Sequence, residues 1–336
     1  MARHLRGRFR GSHIKPNEQS ASNTLRDEHQ PRLTQIVRLS KMLANPFPFD
    51  VTAMSSNKRF FCVRGFMKSG TNWIGSLLSS HETISVVGEF HWGDIVSRFN
   101  ENLDQLPIYQ TETAKENARL GFEKMIRQTV QNFAEPSATL IGERTPTTII
   151  PIPIRNVPHI SIIRDGRDVL VSRAFHLYNN PETTRIFDRI PAMMETLQHF
   201  RTDPWHFQKH PTDLLCHHQM FRESLHFWNE HLQRDELAIS LYPKLKIKFV
   251  RYEDLHRNVK QERKKLFEFL DVDPSMAAKI EGHLKPGFKK ERPSEFLRKG
   301  SVGDWSNYFS EQNKEWFKEY AGDQLIQYDY EASFDW

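Results

Sequence analysis

Residues Phe66–Leu78 read FMKSGTNWIGSLL, and several of these residue types could do chemistry on an anion. Lys68 brings a full positive charge, Ser69 and Thr71 bring hydroxyl donors, and Gly70 permits close approach of the backbone. An apolar run ends at Gly65 and helical spacing begins at Trp73, so the loop joins a strand to a helix. In that setting the backbone N–H groups from Ser69 to Asn72 face a ligand, and the helix N-terminus adds roughly half a positive charge. The order is inverted relative to a nucleoside-triphosphate P-loop, which ends glycine, lysine, then serine or threonine. An ordinary strand–helix turn, with Gly70 for backbone relief, is the competing reading of this stretch alone.

Two further segments carry the same chemistry. In IIRDGRDVLVSRAFH, Arg164 ends a buried strand and Ser172 follows on the next helix, so guanidinium and hydroxyl can share one phosphate. Asp165, Arg167 and Asp168 read as a helix cap with its charge partners. In FLRKGSVGDWSNYFS, Arg298, Lys299 and Gly300 make a compact cation-plus-backbone site, with Trp305 and Phe309 packing the loop behind it. Three anion sites suit a ligand with more than one phosphate.

These segments need a frame. Short apolar runs at Arg59–Gly65, Thr83–Glu89, Ala138–Glu143, His159–Asp165 and Lys246–Leu255 read as strands. Helical patterns lie between them, notably Asn117–Phe133, Val169–Tyr178 and Val259–Leu270. The alternation predicts an α/β fold with a central parallel β-sheet flanked by helices. Residues 58–336 are expected as a single domain, with 179–234 as a helical insertion that supplies acceptor-binding walls. Residues 1–57 read as a polar, basic, partly disordered arm, with a short amphipathic helix through Leu33, Ile36, Val37 and Leu43. The insertion's histidines (His199, His206, His210, His217, His218, His226 and His231) lack metal-ligand spacing and are expected on the surface, with no metal required.

Composition narrows the class. The chain has 336 residues, 38% hydrophobic and 26% charged, enough apolar content for a packed core. The net charge is +5, and Arg3, Arg6, Arg8, Arg10 and Lys15 precede the first acid, Glu18. Five minus five leaves the remainder formally neutral, so no nucleic-acid surface is expected on the body. Two cysteines, no apolar run of membrane length and no apolar leader point to a soluble cytoplasmic protein.

MKSGTNW, RDGRDVLVS, VRYEDL and RKGSVGDW occur together in the order and spacing seen in sulfotransferases that use 3′-phosphoadenosine 5′-phosphosulfate (PAPS), and the chain resembles that family from about Arg59 to Trp316. The resemblance implies the P-loop-like sulfotransferase fold, with PAPS as co-substrate and 3′,5′-ADP as product. It implies that Lys68, Ser69, Gly70, Thr71 and Asn72 hold the 5′-phosphosulfate. Trp73 would pack on the adenine and Tyr252 would touch it from the YEDL strand. Arg164, Ser172, Arg298, Lys299 and Gly300 would bind the 3′-phosphate. Lys68 would neutralise the departing phosphate.

The cytosolic small-molecule branch of that family takes its base from a histidine in a KTHLP-like segment. This chain has GERTPTTIIP there, Gly142–Pro151, without histidine. ERTP resembles the EKTP of glycan sulfotransferases. Glu89 in VVGEFHW matches a carboxylate that serves as base in the glycan and protein-tyrosine branches, so Glu89 is the expected base, His91 the second candidate and Glu143 the third. Arg144 would orient Glu89 or the sulfuryl oxygens. Of the cytosolic branch's short dimer motif, the matching positions are Ser306, Ser310, Glu311 and Glu315, and only the glutamate Glu315 survives. The acceptor is expected to be a carbohydrate or another polar hydroxyl. The rivals are a P-loop nucleotide kinase and a non-catalytic 3′,5′-ADP-binding protein.

Overall fold

Strand β1, Arg59–Gly65, is buried at six of its seven residues, so it needs cover on both faces and neighbours on both edges. The computed structural model describes residues 58–336 apart from 288–289 and 296–297, and the basic arm with its expected helix lies outside the described residues. β1 pairs in parallel with β3 (Leu140–Arg144) on one side and β4 (His159–Ile163) on the other. β2 (Ile84–Val87) and β5 (Ile247–Arg251) form the edges, giving the all-parallel order β2-β3-β1-β4-β5.

That order fixes where ligands can bind. From β1 the chain moves outward to β2 and back to β3, then crosses to β4 and β5. The direction reverses between β1 and β4, and the loops leaving these two strands open the crevice typical of doubly wound sheets. The loop after β1 carries Lys68, and the residue after β4 is Arg164.

Helix α1, Thr71–Ser79, buries Ile74, Leu77 and Leu78 at i, i+3, i+4 spacing against one face of the sheet. Each of these side chains stabilises the fold by about 1.5–3 kcal/mol through its removal from water. Helices α2 (Trp92–Gln105) and α3 (Glu112–Asn132) follow β2, and α4 (Gly166–Asn179) follows β4. Between α4 and β5 the chain forms short α5 (Ile186–Arg189), α6 (Met193–Thr202), short α7 (His206–Lys209) and long α8 (His218–Leu241). The last of these runs on to Leu241, past the expected limit at 234, because its apolar face continues through Trp228, Leu232 and Ala238.

Three expectations need correction. Lys246–Leu255 is not one strand: β5 ends at Arg251, and Tyr252 opens helix α9 (Tyr252–Arg257), followed by α10 (Val259–Phe269). His231 is not on the surface. It is 7% exposed, edge-on to Phe66 at 5.5 Å and 3.6 Å from Asp235. Glu143 cannot act as a base, because it is fully buried under the sheet's end, 2.6 Å from the Arg64 guanidinium, with Thr145 donating to it at 2.5 Å.

Asp235 ties α8 to the sheet, accepting from Ser161 Oγ and from the Ile149 amide, both at 2.8 Å. Such bonds to a buried charge hold the insertion in register over the strand ends. The final helix, α11 (Glu311–Gln327), packs against α8, and Ser310 and Asn313 form a capping box at its start. Ser310 therefore has a helix-capping role at the position where the dimer motif would lie. No helix among the described residues is long and apolar enough to cross a membrane.

Candidate active site

The strand ends converge on a cleft of about 380 Å³. Lys68, Gly70, Thr71, Asn72 and Trp73 line it from the loop and first turn of α1. Ser69 sits just behind them, 1% exposed. Lys68 stands at positive φ (69°), a left-handed backbone that a lysine rarely adopts and that places it at the apex of the turn. Gly70 is required twice over. Its φ is 104°, and a Cβ there would lie 2.7 Å from the Tyr252 ring. Burial, together with the nearby Arg164 and Arg298 charges, lowers the Lys68 ammonium to about 8, against an opposing pull from Glu89.

Arg164 closes the crevice from β4. Its Nη1 donates to the Lys68 carbonyl at 3.0 Å, its Nη2 donates to the Ser301 carbonyl at 2.8 Å, and its guanidinium lies 4.3 Å over the Tyr252 ring. Ser172, two turns along α4, lines the same cleft. Tyr252, at the start of α9, donates from its hydroxyl to the Gly300 carbonyl at 2.9 Å and meets Trp73 edge-on at 5.5 Å. Trp73 is in turn held by its indole N–H on the Leu284 carbonyl, 3.1 Å away.

The loop 298–305 is latched from below. Asp168 accepts from the Gly303 amide at 2.8 Å and the Trp305 amide at 2.9 Å, and Asp165 caps α4 through the Arg167 amide at 2.9 Å. Burial raises the Asp168 carboxyl above its ordinary value, with Arg164 and the two amides opposing that shift. Arg298 lies over Phe175 at 4.3 Å and bonds both Glu291 and Asp304, while Lys299 reaches Asp304 at 2.6 Å. Both cations line the cleft with carboxylates already beside them. Arg298 has five N–H donors, more than these partners take up. Trp305 packs on Phe309 at 5.5 Å, as expected for the loop's support.

The candidate bases lie at the β2 and β3 ends. Glu89 and Arg144 face each other across adjacent strands at 2.6 Å, the Glu89 side chain 32% exposed and Arg144 16%. His91, at the N-cap of α2, is 3.7 Å from the second Glu89 oxygen and is 62% exposed. Glu89 therefore has one oxygen held by Arg144 and the other beside the exposed His91 ring, and its side chain lines the cleft. No group of three or more potential metal ligands occurs among the described residues.

The cleft also holds residues to which the sequence reading gave no role: Met67, Ser76, Pro146, His176, His283, Lys285, Gly287 and Ser301. His176 was legible, since it stands four residues after Ser172 on the same face of α4. Its ring Nδ1 accepts from the Asn180 side-chain amide at 3.1 Å, and burial with nearby Lys68 and Arg173 lowers it to about 4. His283 and Lys285 come from an irregular stretch around a short 3-10 turn, Gly282–Leu284, which carries no sequence signal.

Three donors on the expected phosphate-holding segments test whether a ligand fits. Ser69 Oγ, Arg164 Nε and Ser301 Oγ are buried and have no hydrogen-bond partner among the described residues. A buried donor left unsatisfied costs about 1–3 kcal/mol. Three of them around one cationic cleft fit a bound polyanion.

A sulfotransferase-domain family model matches residues 59–329, and the chain belongs to that family. The chain is 23% identical over 300 residues to sulfotransferase 1E1 of Rattus norvegicus, covering 81% of this chain and 85% of the relative. It is 25% identical over 289 residues to sulfotransferase 1B1 of Canis lupus familiaris, covering 77% and 83%. Among solved structures, mouse sulfotransferase SULT7A1 complexed with PAP is 19% identical over 82% of this chain and 89% of that one, with a TM-score of 0.45.

Proposed function

We propose that this sulfotransferase moves a sulfuryl group from PAPS to a hydroxyl of a polar acceptor, with a carbohydrate favoured over a flat phenol. The observation that carries the reading is the convergence of the Lys68 loop, Arg164 and Glu89 on one cleft. PAPS supplies a sulfuryl group on a bridging oxygen to a good leaving phosphate. The chain's own residues do the rest. Ser69, Thr71 and the amides through Asn72 hold the 5′ end, and Lys68 neutralises charge as it builds on the bridging oxygen. Arg164, Ser172, Arg298, Lys299 and Gly300 hold the 3′ end, and Trp73 and Tyr252 bracket the base. Binding of the 3′-phosphate draws Arg298 partly away from Glu291 and Asp304.

Glu89 accepts the acceptor's proton on the oxygen that Arg144 does not hold, and Arg144 fixes its orientation. His91 stands beside Glu89 as a positioning residue. The polar-acceptor reading is supported by Glu89, His91 and His176, which line the cleft together with the apolar Met67, Trp73 and Pro146. Cytoplasmic location belongs to the same reading, and the scarcity of cysteine supports it.

The test is a transfer assay with [35S]PAPS against glycans, phenols, sterols and tyrosine peptides, without added metal. Label on a glycan in wild type, lost in Glu89→Gln, supports the proposal. Label on phenols alone overturns the acceptor class. Phosphoryl transfer from ATP with PAPS inert overturns the reaction.

A further inference from the structure

We propose that Ser301 is a ligand for the ligand's 3′-phosphomonoester, joining its hydroxyl to the Arg164 guanidinium on one phosphate; this rests on the nucleotide reading above. Ser301 lies outside the motif positions taken for phosphate binding, in the loop between Gly300 and Gly303.

Its surroundings leave the hydroxyl little else to do. Ser301 lines the cleft, and its Oγ is buried without a partner among the described residues. The backbone around it is fixed from three sides. Its own carbonyl accepts from Arg164 Nη2 at 2.8 Å, the Gly300 carbonyl accepts from the Tyr252 hydroxyl at 2.9 Å, and the Gly303 amide donates to Asp168 at 2.8 Å. The side chain can therefore turn only about its single χ1, while the hydroxyl hydrogen swings freely.

The neighbouring side chains select the partner's charge. Arg164, Arg298 and Lys299 line the same cleft, Arg164 in direct contact with the Ser301 backbone. Cations of this kind cannot accept a hydrogen bond, so a hydroxyl donor among them is satisfied by an anionic oxygen brought by the ligand. The nearby acids, Asp168, Asp304 and Glu291, are engaged by Gly303 and Trp305, or by Arg298 and Lys299. Ser172 approaches from α4 and Ser301 from the latched loop, so the phosphate is held between two hydroxyls on separate elements.

The experiment compares 3′,5′-ADP with 5′-AMP by calorimetry on the full chain, for wild type and S301A. Removing a hydroxyl from a charged phosphate weakens 3′,5′-ADP binding roughly ten- to a hundredfold, with 5′-AMP binding unchanged. The melting temperature of the nucleotide-free protein stays the same. If S301A unfolds, Ser301→Gly, which adds no atoms, reads the same difference. Equal 3′,5′-ADP affinity in wild type and variant overturns the assignment, as does an equal loss for both nucleotides. A wild type that binds neither nucleotide overturns the nucleotide reading and this proposal with it.

Discussion

Lys68 gives a sharp test of the leaving-group role, because its titration can be read apart from turnover. Burial and the Arg164 and Arg298 charges lower it to about 8 in the nucleotide-free protein. At pH 8 half of the molecules carry a neutral amine there. A phosphate dianion at Nζ restores the charge, so binding 3′,5′-ADP at pH 8 must take up about 0.5 proton through this group. The sign follows: Lys68 is charged below its pKa, so affinity is full at lower pH. It falls as pH rises through 8, by up to about tenfold per unit. Calorimetry in two buffers of different ionisation heat measures the uptake directly. The ligand's own phosphates, with second pKa near 6, titrate well below pH 8 and contribute equally to any variant. Lys68→Met should lose the uptake and bind about ten- to a hundredfold more weakly, the scale of a charged hydrogen bond. A wild type with no uptake at pH 8, or a Lys68→Met protein with the same uptake, refutes the placement of Lys68 against a phosphate.

Other substitutions separate chemistry from framework. Glu89→Gln should lower kcat by about 10²–10⁴ while 3′,5′-ADP affinity, read by calorimetry, stays put. Glu143→Ala should instead destabilise the fold by about 3–5 kcal/mol, since it strands the buried Arg64; chemical denaturation reads this, and a stable but inactive protein would restore Glu143 as a candidate base. Asp168→Ala removes two amide bonds from the loop latch, and a loss of about 2–4 kcal/mol in denaturant melts is expected, with weaker 3′,5′-ADP binding. Gly70→Ala meets the Tyr252 ring and forces a residue into positive φ, so nucleotide binding should weaken by at least about tenfold for a cost beyond 1 kcal/mol.

The sheet was legible because five short apolar runs with helical stretches between them leave few alternatives to a parallel sheet. Register decided the remainder. Lys246–Leu255 read as one strand because the apolar Ile247, Phe249 and Val250 are followed by Tyr252 with no glycine or proline to break the run. Tyr252 nevertheless opens a helix, since Glu253 is needed at the Asp165 amide, 3.0 Å away. Glu143 looked like a possible base because it lies near the end of a strand. One residue of strand alternation separates it from Arg144, and that turns Glu143 into the core and Arg144 toward Glu89. His231 read as surface with the insertion's other histidines because they lacked metal-ligand spacing, yet its place on α8 puts it against Phe66. The motif residues of the cleft were legible from type and spacing. His283 and Lys285 were not, because irregular backbone, with no period to read, brings them there, and Ser301 lay inside RKGSVGDW without a role of its own.

The central claim is that one cleft grips a bisphosphorylated adenosine at both ends and leaves its sulfuryl position open to Glu89. A crystal structure of the protein with bound 3′,5′-ADP tests it most directly. The 5′-phosphate should lie within hydrogen-bond distance of Lys68, Ser69 and Thr71, the 3′-phosphate against Arg164 and Ser172, and the Glu89 carboxylate on the open side of the 5′-phosphate. A nucleotide seated elsewhere, or one whose 3′-phosphate points into solvent, would contradict the account.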